Sequence, residues 1–283
     1  NFLPKFNIKV KFVDITNLNE VKRAVSKKTK VIYCETISNP LLEIADIPKL
    51  SKIAKAANAK LVVDNTFSPM IVSPARLGAD VVIHSMTKYI NGTSDCVAGC
   101  ICSTHDFISK LNDVNSGASM LLGTVLDSTR AASILKNLHS LHLRLQKHSD
   151  NAMYMATQFK KLGIKTYYPG FKNHKGHKTL LSMMNKGFGF GGIVAIDLLD
   201  EVKANNLMEM MQLEKVGYLA VSLGYFKTLF SSPSHSTSSE IPEDEQKKIG
   251  LGKGLIRFSF GLDNDIPETF GRIKKCMKKL NII

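Results

Sequence analysis

The chain has 283 residues, of which 44% are hydrophobic and 22% are charged, a balance that excludes intrinsically disordered and collagen-like chains. Its net charge of +14 comes mainly from scattered lysines, because only six of the 38 basic residues are arginines. We therefore expect a solvated lysine-rich surface and no nucleic-acid partner, with polyanion binding as a distant alternative.

The first half of the sequence alternates short apolar runs with amphipathic segments. The apolar runs predict strands at residues 31–35, 60–64, 79–84 and 97–102. Between the first two strands, Asp46 is placed to begin a helix whose first turn contains Pro48. Continuous apolar strands separated by helices are typical of a parallel sheet that is covered on both faces. We therefore predict an α/β fold for this half.

The five cysteines form no C-x-x-C pair, which argues against a disulfide framework and against a zinc site. Cys100 and Cys102 lie at strand spacing in the fourth apolar run, so we expect reduced core residues on one face of that strand. The histidine pairs of the sequence have no nearby acid that would complete a metal site. No metal is expected.

The second half begins with a long helix, predicted over roughly residues 128–162. The pattern of apolar and polar residues then changes. It predicts strands at 187–200, 218–222 and 254–261 and helices at 203–211 and 274–280. This mixture predicts a smaller α+β domain. We divide the chain into residues 1–133 and residues 134–283, the second part including the long helix as a bridge. Residues 231–248, rich in serine, proline and charge, should be the least ordered.

Polar side chains follow the predicted strands directly. Glu35 and Asp64 end the first two strands, and the third runs into Ser85, Thr87 and Lys88. Ligands of open parallel sheets bind at this edge. A lysine there can lose its proton through desolvation, hydroxyls suit a phosphate, and a carboxylate can keep a heterocyclic nitrogen protonated. These are the requirements of pyridoxal phosphate, although polar residues at strand ends also serve simply to cap loops.

Four ordered motifs carry a resemblance to a known family. They are Y-C-E-T-x-S-N-P from residue 33, V-V-D-N-T-F-S-P from 62, G-A-D-V-V-I-H-S-M-T-K-Y from 78 and G-L-I-R-F-S-F-G-L from 254. Together they resemble the Cys/Met-metabolism, or trans-sulfuration, family of pyridoxal-phosphate enzymes, and most closely its plant-type methionine gamma-lyase branch. The resemblance implies an aspartate-aminotransferase-like fold of type I, with a parallel-rich cofactor domain in residues 1–133 and a smaller α+β domain after it.

The resemblance also implies roles for residues that bind the cofactor. Lys88 would hold pyridoxal phosphate covalently and would be the catalytic residue. Asp64 would pair with the pyridinium nitrogen, and Ser85 and Thr87 would bind the phosphate group. Asn39, in the S-N-P turn, would lie near the ring hydroxyl of the cofactor and the substrate carboxylate.

For the substrate, the resemblance implies a carboxylate clamp. Arg257 would bind the α-carboxylate through a bidentate pair, assisted by Ser222 and Asn39. Glu35 matches a family carboxylate near the site, but the resemblance gives it no defined role.

The reaction implied is γ-elimination from a sulfur amino acid, which converts methionine to methanethiol, 2-oxobutanoate and ammonia. Alternatives within the family are cystathionine γ-lyase, cystathionine β-lyase and γ-synthase activities. An alternative of another class is a truncated, non-catalytic paralogue that acts only in assembly.

The expected partners are a small sulfur amino acid and further copies of the chain in a homotetramer. No apolar run is long enough to span a membrane and no signal peptide is visible, so we expect a cytoplasmic protein. Family members carry a further N-terminal region with a glycine loop for the phosphate and a ring-stacking tyrosine. We therefore expect a truncated chain that is a poor catalyst on its own.

Overall fold

The computed structural model describes residues 2–235, 241, 244, 246 and 249–283. Most of the segment 231–248, predicted to be the least ordered, therefore lies outside the described residues. Within the described part, no helix has both the length and the apolar character needed to cross a membrane.

The first sheet contains four strands in the spatial order β1–β2–β3–β4. The strands are β1 (Val31–Glu35), β2 (Lys60–Asp64), β3 (Val81–Ser85) and β4 (Gly99–Cys102). β1, β2 and β3 run parallel, as predicted, so their carboxyl ends meet at one edge. β4 runs antiparallel to β3, so the sheet is parallel-rich, as predicted, with one antiparallel strand. The chain turns back after β3 without the helical crossover that a parallel strand needs.

The side chains of the outer strands are less buried than predicted. Ile32 and Cys34 of β1 are buried, whereas Val31 and Tyr33 are 51% and 55% exposed, so one face of this strand is uncovered in this chain. Cys100 is half-buried and Cys102 exposed, which corrects the prediction that both are core residues. Both strands lie at an edge of the sheet, where fewer neighbours cover the side chains.

Among the described residues, four helices accompany this sheet along the chain. They are α1 (Leu18–Ala24), α2 (Ile47–Ala56), α3 (His105–Leu111) and α4 (Ala118–Leu122), with short 3₁₀ segments at Leu3–Phe6 and Pro74–Leu77. α2 begins as predicted, because the Asp46 carboxylate accepts a hydrogen bond from the Lys49 N–H at 3.1 Å. Its buried side chains, including Leu50 and Ala54, pack toward β2.

The predicted long helix is two helices. α5 spans Ser128–Leu138 and α6 spans Leu141–Lys161. Arg144 explains the interruption, because its guanidinium donates to the carbonyls of Tyr89 and Ile90 and also to that of Asn137, where α5 ends. The Ser140 hydroxyl donates to the same Asn137 carbonyl at 3.1 Å. The break therefore depends on contacts with a distant segment, which helical periodicity does not report.

The second sheet contains five strands in the order β5–β6–β9–β8–β7. The strands are β5 (Lys165–Tyr167), β6 (Ile193–Asp197), β7 (Tyr218–Leu219), β8 (Leu229–Ser231) and β9 (Leu255–Ser259). The accompanying helices are α7 (His177–Met183), α8 (Glu201–Leu213) and α9 (Ile266–Lys279), with a short 3₁₀ turn at Pro233–His235. α9 begins well before the predicted residue 274, because the Asp265 carboxylate caps its first turn.

α6 connects two hydrophobic cores. Leu145 packs in the core of the first sheet, whereas Ala152 and Phe159 pack in that of the second. The Phe159 ring lies 5.6 Å from that of Phe258 and 5.9 Å from that of Phe270, measured between centroids. The change of core thus occurs inside α6, and the division at residue 133 stays a prediction.

His148, on the same helix, makes the stability of this fold depend on pH. Its side chain is fully buried, and its Nδ1 donates to the Phe260 carbonyl at 2.6 Å. Burial lowers the pKa of His148 to about 4, while an unfolded histidine titrates near 6.5. As the pH falls below about 6.5, His148 therefore binds a proton in the unfolded chain but stays neutral in the folded chain. The free energy of unfolding decreases until about pH 4, by up to ~3 kcal/mol.

We expect the free energy of unfolding, measured by urea denaturation, to fall less between about pH 7 and about pH 5 in His148→Asn than in the unmodified protein. His142→Asn, at an exposed position of α6, should keep the original pH dependence. An unchanged pH dependence in His148→Asn would show that other groups cause the loss of stability.

Candidate active site

Lys88 lies just beyond β3, in a single π-helical turn at Met86–Ile90. Its backbone leaves the helical region, with φ −88° and ψ −129°. Its Nζ donates a hydrogen bond to the Ser222 hydroxyl at 3.0 Å. Burial lowers the pKa of Lys88, and the positive charge of Arg257 lowers it further. A larger fraction of neutral amine favours nucleophilic attack and proton transfer by this lysine.

The loop that carries Ser222 lies directly against the backbone of Lys88. Gly224 has a φ of +71°, and a Cβ added there would lie 2.5 Å from the Tyr89 nitrogen and 2.9 Å from the Lys88 carbonyl carbon. Its N–H donates to the Ser259 hydroxyl at 2.9 Å. Glycine at this position therefore allows the second half of the chain to reach Lys88.

Arg257 joins the two halves of the site. The side chain extends from the buried strand β9 and is only 2% exposed. One terminal nitrogen donates to the Asn39 Oδ1 and the other to the Ser222 carbonyl, each at 3.0 Å. Among the described residues, its Nε is buried without a hydrogen-bond partner. A buried guanidinium held by neutral oxygens suits an anionic ligand.

Asp64 lies at the carboxyl end of β2, beside Glu35 in the register of the sheet. Its Oδ2 accepts a hydrogen bond from the Tyr33 hydroxyl at 3.2 Å, and its Oδ1 accepts one from the Thr66 N–H at 2.9 Å. The Thr66 hydroxyl in turn accepts from the Ser85 N–H at 2.8 Å. The ends of β1, β2 and β3 are thus tied together around the carboxylate.

The two hydroxyls expected to bind a phosphate differ in their surroundings. Within the described part of the chain, the Ser85 hydroxyl has no hydrogen-bond partner. The Thr87 hydroxyl instead accepts from the Ala98 N–H at 2.9 Å and donates to the Ala98 carbonyl at 3.3 Å. Thr87 must give up the weaker of these bonds to donate to a phosphate, whereas Ser85 is ready to do so.

Glu35 contributes the second carboxyl group of the site. Its Oε2 accepts a hydrogen bond from the Asn39 N–H at 2.8 Å. Burial raises the pKa of Glu35, the bond from Asn39 opposes that shift, and the charge of Asp64 adds to it. The carboxyl groups of Glu35 and Asp64 thus lie side by side at the ends of two neighbouring strands.

These residues fit pyridoxal phosphate. Lys88 offers an amine of lowered pKa, and Asp64 offers a carboxylate at the end of the neighbouring strand. Ser85 offers a hydroxyl without a partner among the described residues, on the strand that leads into Lys88. Arg257 has a buried Nε that is likewise unpaired, at the place expected for the substrate carboxylate. These groups are of the kinds that the aldehyde, ring nitrogen and phosphate of the cofactor and the carboxylate of an amino acid would need.

Tyr33 and Thr66 contact Asp64 or its neighbours, and the sequence reasoning assigned neither of them to the site. Tyr33 precedes Glu35 by two residues and therefore shares its face of β1. Thr66 follows Asp64 by two residues, in the D-N-T motif. Strand alternation and motif position were the signals that could have identified both.

Comparison with known proteins shows the family to which the chain belongs. The family model described as Cys/Met metabolism PLP-dependent enzyme matches residues 1–270. The chain is 39% identical to a methionine gamma-lyase of Arabidopsis thaliana, over 99% of this chain and 64% of that protein. It is 36% identical to a cystathionine beta-lyase of Lactococcus lactis, over 98% of this chain and 71% of that protein. The chain thus spans about two thirds of the length of these relatives.

A solved structure shows the same similarity. The crystal structure of cystathionine gamma-lyase from Lactobacillus plantarum complexed with L-serine matches with a TM-score of 0.90 and 29% identity, covering 99% of this chain and 72% of that one. The predicted fold class is confirmed by this similarity, and the predicted family by the sequence matches. The chain belongs to the Cys/Met-metabolism family of pyridoxal-phosphate-dependent enzymes.

Proposed function

We propose that the protein is a carbon–sulfur lyase that cleaves methionine by γ-elimination to methanethiol, 2-oxobutanoate and ammonia. The observation that carries the proposal is the connection from Lys88 through Ser222 to Arg257, in which each hydrogen bond measures 3.0 Å. It places an amine of lowered pKa beside a buried guanidinium, an arrangement suited to the amino and carboxylate groups of one amino acid. The choice of methionine rests on the relatives named as methionine gamma-lyases.

Each residue has a task in this reaction. Arg257 binds the substrate carboxylate with two parallel hydrogen bonds and so fixes the α-carbon near Lys88. The lysine amine, whose pKa is lowered, moves protons between the α- and β-carbons of the substrate. Asp64 would keep the ring nitrogen of the cofactor protonated, and Ser85 would hold the phosphate group together with Thr87. Bound pyridoxal phosphate supplies the electron sink that makes the α-proton acidic.

Cystathionine is the second candidate substrate, because relatives named as cystathionine lyases match nearly the whole chain as well. The same clamp would bind its carboxylate, with cleavage on either side of the sulfur atom. Replacement at the γ-carbon is a third reaction that this constellation supports.

The experiment that separates these reactions is an assay of the purified whole protein, loaded with pyridoxal phosphate, on methionine, cystathionine and homocysteine. We expect 2-oxobutanoate and methanethiol, with the highest kcat/KM for methionine. Pyruvate from cystathionine would instead indicate β-elimination. No product from any substrate would contradict the lyase function and favour a non-catalytic role in assembly.

A homotetramer stays a proposal, and exposed apolar side chains support self-association. Val114, Leu122 and Val125 are 67%, 76% and 78% exposed, and they lie close together in the sequence. Light scattering should give the mass of four copies of the whole protein, and a monomer would contradict the proposal.

The carboxylate clamp predicts a loss of substrate affinity in Arg257→Lys. An ammonium cannot reproduce the bidentate geometry of a guanidinium, so kcat/KM should fall by about ten- to a hundredfold. The absorbance of bound cofactor should stay the same, because Arg257 is assigned to the substrate. Arg130→Lys, at an exposed ion pair, should leave both quantities unchanged. Loss of cofactor from Arg257→Lys would contradict the assignment.

A further inference from the structure

Glu35 reaches from the end of β1 to the turn that carries Asn39. Its Oε2 accepts the hydrogen bond from the Asn39 N–H at 2.8 Å. The turn is closed further along by a hydrogen bond from the Ser38 N–H to the Glu43 carbonyl at 2.9 Å. Glu35 is therefore the side chain that anchors Asn39 itself to the end of the strand.

Asn39 in turn binds Arg257 through its side chain. The Asn39 Oδ1 accepts one arm of the guanidinium at 3.0 Å, while the Ser222 carbonyl accepts the other at the same distance. A continuous hydrogen-bonded path thus runs from Glu35 through Asn39 to the group assigned to the substrate carboxylate. The path crosses from the first sheet to the second, so the orientation of Arg257 depends on a residue of β1.

Among the described residues, the Glu35 carboxylate makes no hydrogen bond to Arg257 and reaches it through Asn39. The oxygens that meet the guanidinium directly are the neutral ones of Asn39 and Ser222. The guanidinium charge therefore stays available to an incoming carboxylate.

We propose that Glu35 is a positioning residue for substrate binding, which acts through Asn39 to aim the Arg257 guanidinium at the α-carboxylate. The inference rests on the proposed function in one respect, because it takes Arg257 as the carboxylate clamp. What the path requires of Glu35 is an acceptor oxygen at this place, and a negative charge is not required.

Two substitutions at position 35 separate these requirements. Glu35→Gln keeps an oxygen that can accept the Asn39 N–H, whereas Glu35→Leu keeps the size of the side chain without an acceptor. We expect the KM for the amino acid substrate to rise about tenfold in Glu35→Leu and less than about threefold in Glu35→Gln, with kcat within about threefold in both. Glu43→Leu is the matched control, because Glu43 lies in the same turn region without contacting Asn39, and its KM should be unchanged.

A binding measurement distinguishes this inference from the proposed function. Methionine and its decarboxylated analogue, 3-(methylthio)propylamine, are titrated against the cofactor-loaded protein by the change in cofactor absorbance. Glu35→Leu should weaken methionine about tenfold and leave the amine unchanged, since only methionine carries the carboxylate. This readout needs no turnover, so a protein without lyase activity would contradict the proposed function and still test the role of Glu35.

Three results would overturn the inference. They are equal losses in Glu35→Gln and Glu35→Leu, equal weakening of methionine and of the amine, and unchanged methionine binding in Glu35→Leu. If Glu35→Leu does not fold, Glu35→Asp takes its place. Its carboxylate is one methylene shorter and should weaken methionine binding selectively, and unchanged binding there would also overturn the inference.

Discussion

Replacing Lys88 by alanine should remove the covalent attachment of pyridoxal phosphate and abolish carbon–sulfur cleavage. The alanine side chain has no amine to bond the cofactor and none to move protons on the substrate. No other amine takes part in the hydrogen-bonded path through Ser222 to Arg257 within the described residues. The measurement is the visible absorbance of the protein-bound cofactor, together with the release of keto acid from methionine.

Lys110→Ala is the control for this change. Lys110 is exposed on α3 and forms an exposed ion pair with Asp106, so its loss should change neither the absorbance nor the activity. Cleavage at the unmodified rate in Lys88→Ala would remove the lysine from the mechanism.

Asp64→Asn should keep the cofactor bound but lose at least about a hundredfold in kcat, a loss of the size seen when one preorganised electrostatic group is removed. The amide oxygen can still accept from the Thr66 N–H, and the amide nitrogen can donate to the Tyr33 hydroxyl, so the strand end should keep its shape. It cannot stabilise a protonated ring nitrogen, so the electron sink is weakened. Steady-state kinetics and the amount of bound cofactor measure the two effects separately.

Asp80→Asn provides a matched control in the same sheet, at the opposite end of the strands from Lys88. Asp80 precedes β3 and accepts hydrogen bonds from the Lys60 Nζ and the Leu61 N–H, far along the strands from Lys88. Its substitution should lower stability and leave kcat unchanged. Near-normal turnover in Asp64→Asn would show that this carboxylate has another task.

The sequence identifies the strand-end residues of the site because parallel strands bring their carboxyl ends to one edge. Asp64, Ser85 and Lys88 could therefore be assigned to one site from the sequence alone. The resemblance added Arg257 and Ser222, whose contacts with the first half of the chain no local pattern reports. Asn39 and Arg257, for example, are 218 positions apart.

Other features depend on contacts that periodicity does not contain. α5 and α6 are separate helices because the Arg144 guanidinium binds the carbonyls of Tyr89 and Ile90, next to Lys88 in the chain. The direction of β4 depends on how residues 86–98 turn back, and an apolar run is the same in either direction. The role of Glu35 in holding Asn39 depends on one hydrogen bond across a turn.

Chemical trapping shows directly whether Lys88 is the lysine that holds pyridoxal phosphate. The cofactor-loaded whole protein is reduced with borohydride, digested, and searched by mass spectrometry for the lysine that carries the pyridoxyl phosphate group. We predict this group on the peptide that contains Lys88 and on no other peptide. Attachment to a different lysine, with Lys88 unmodified, would contradict it.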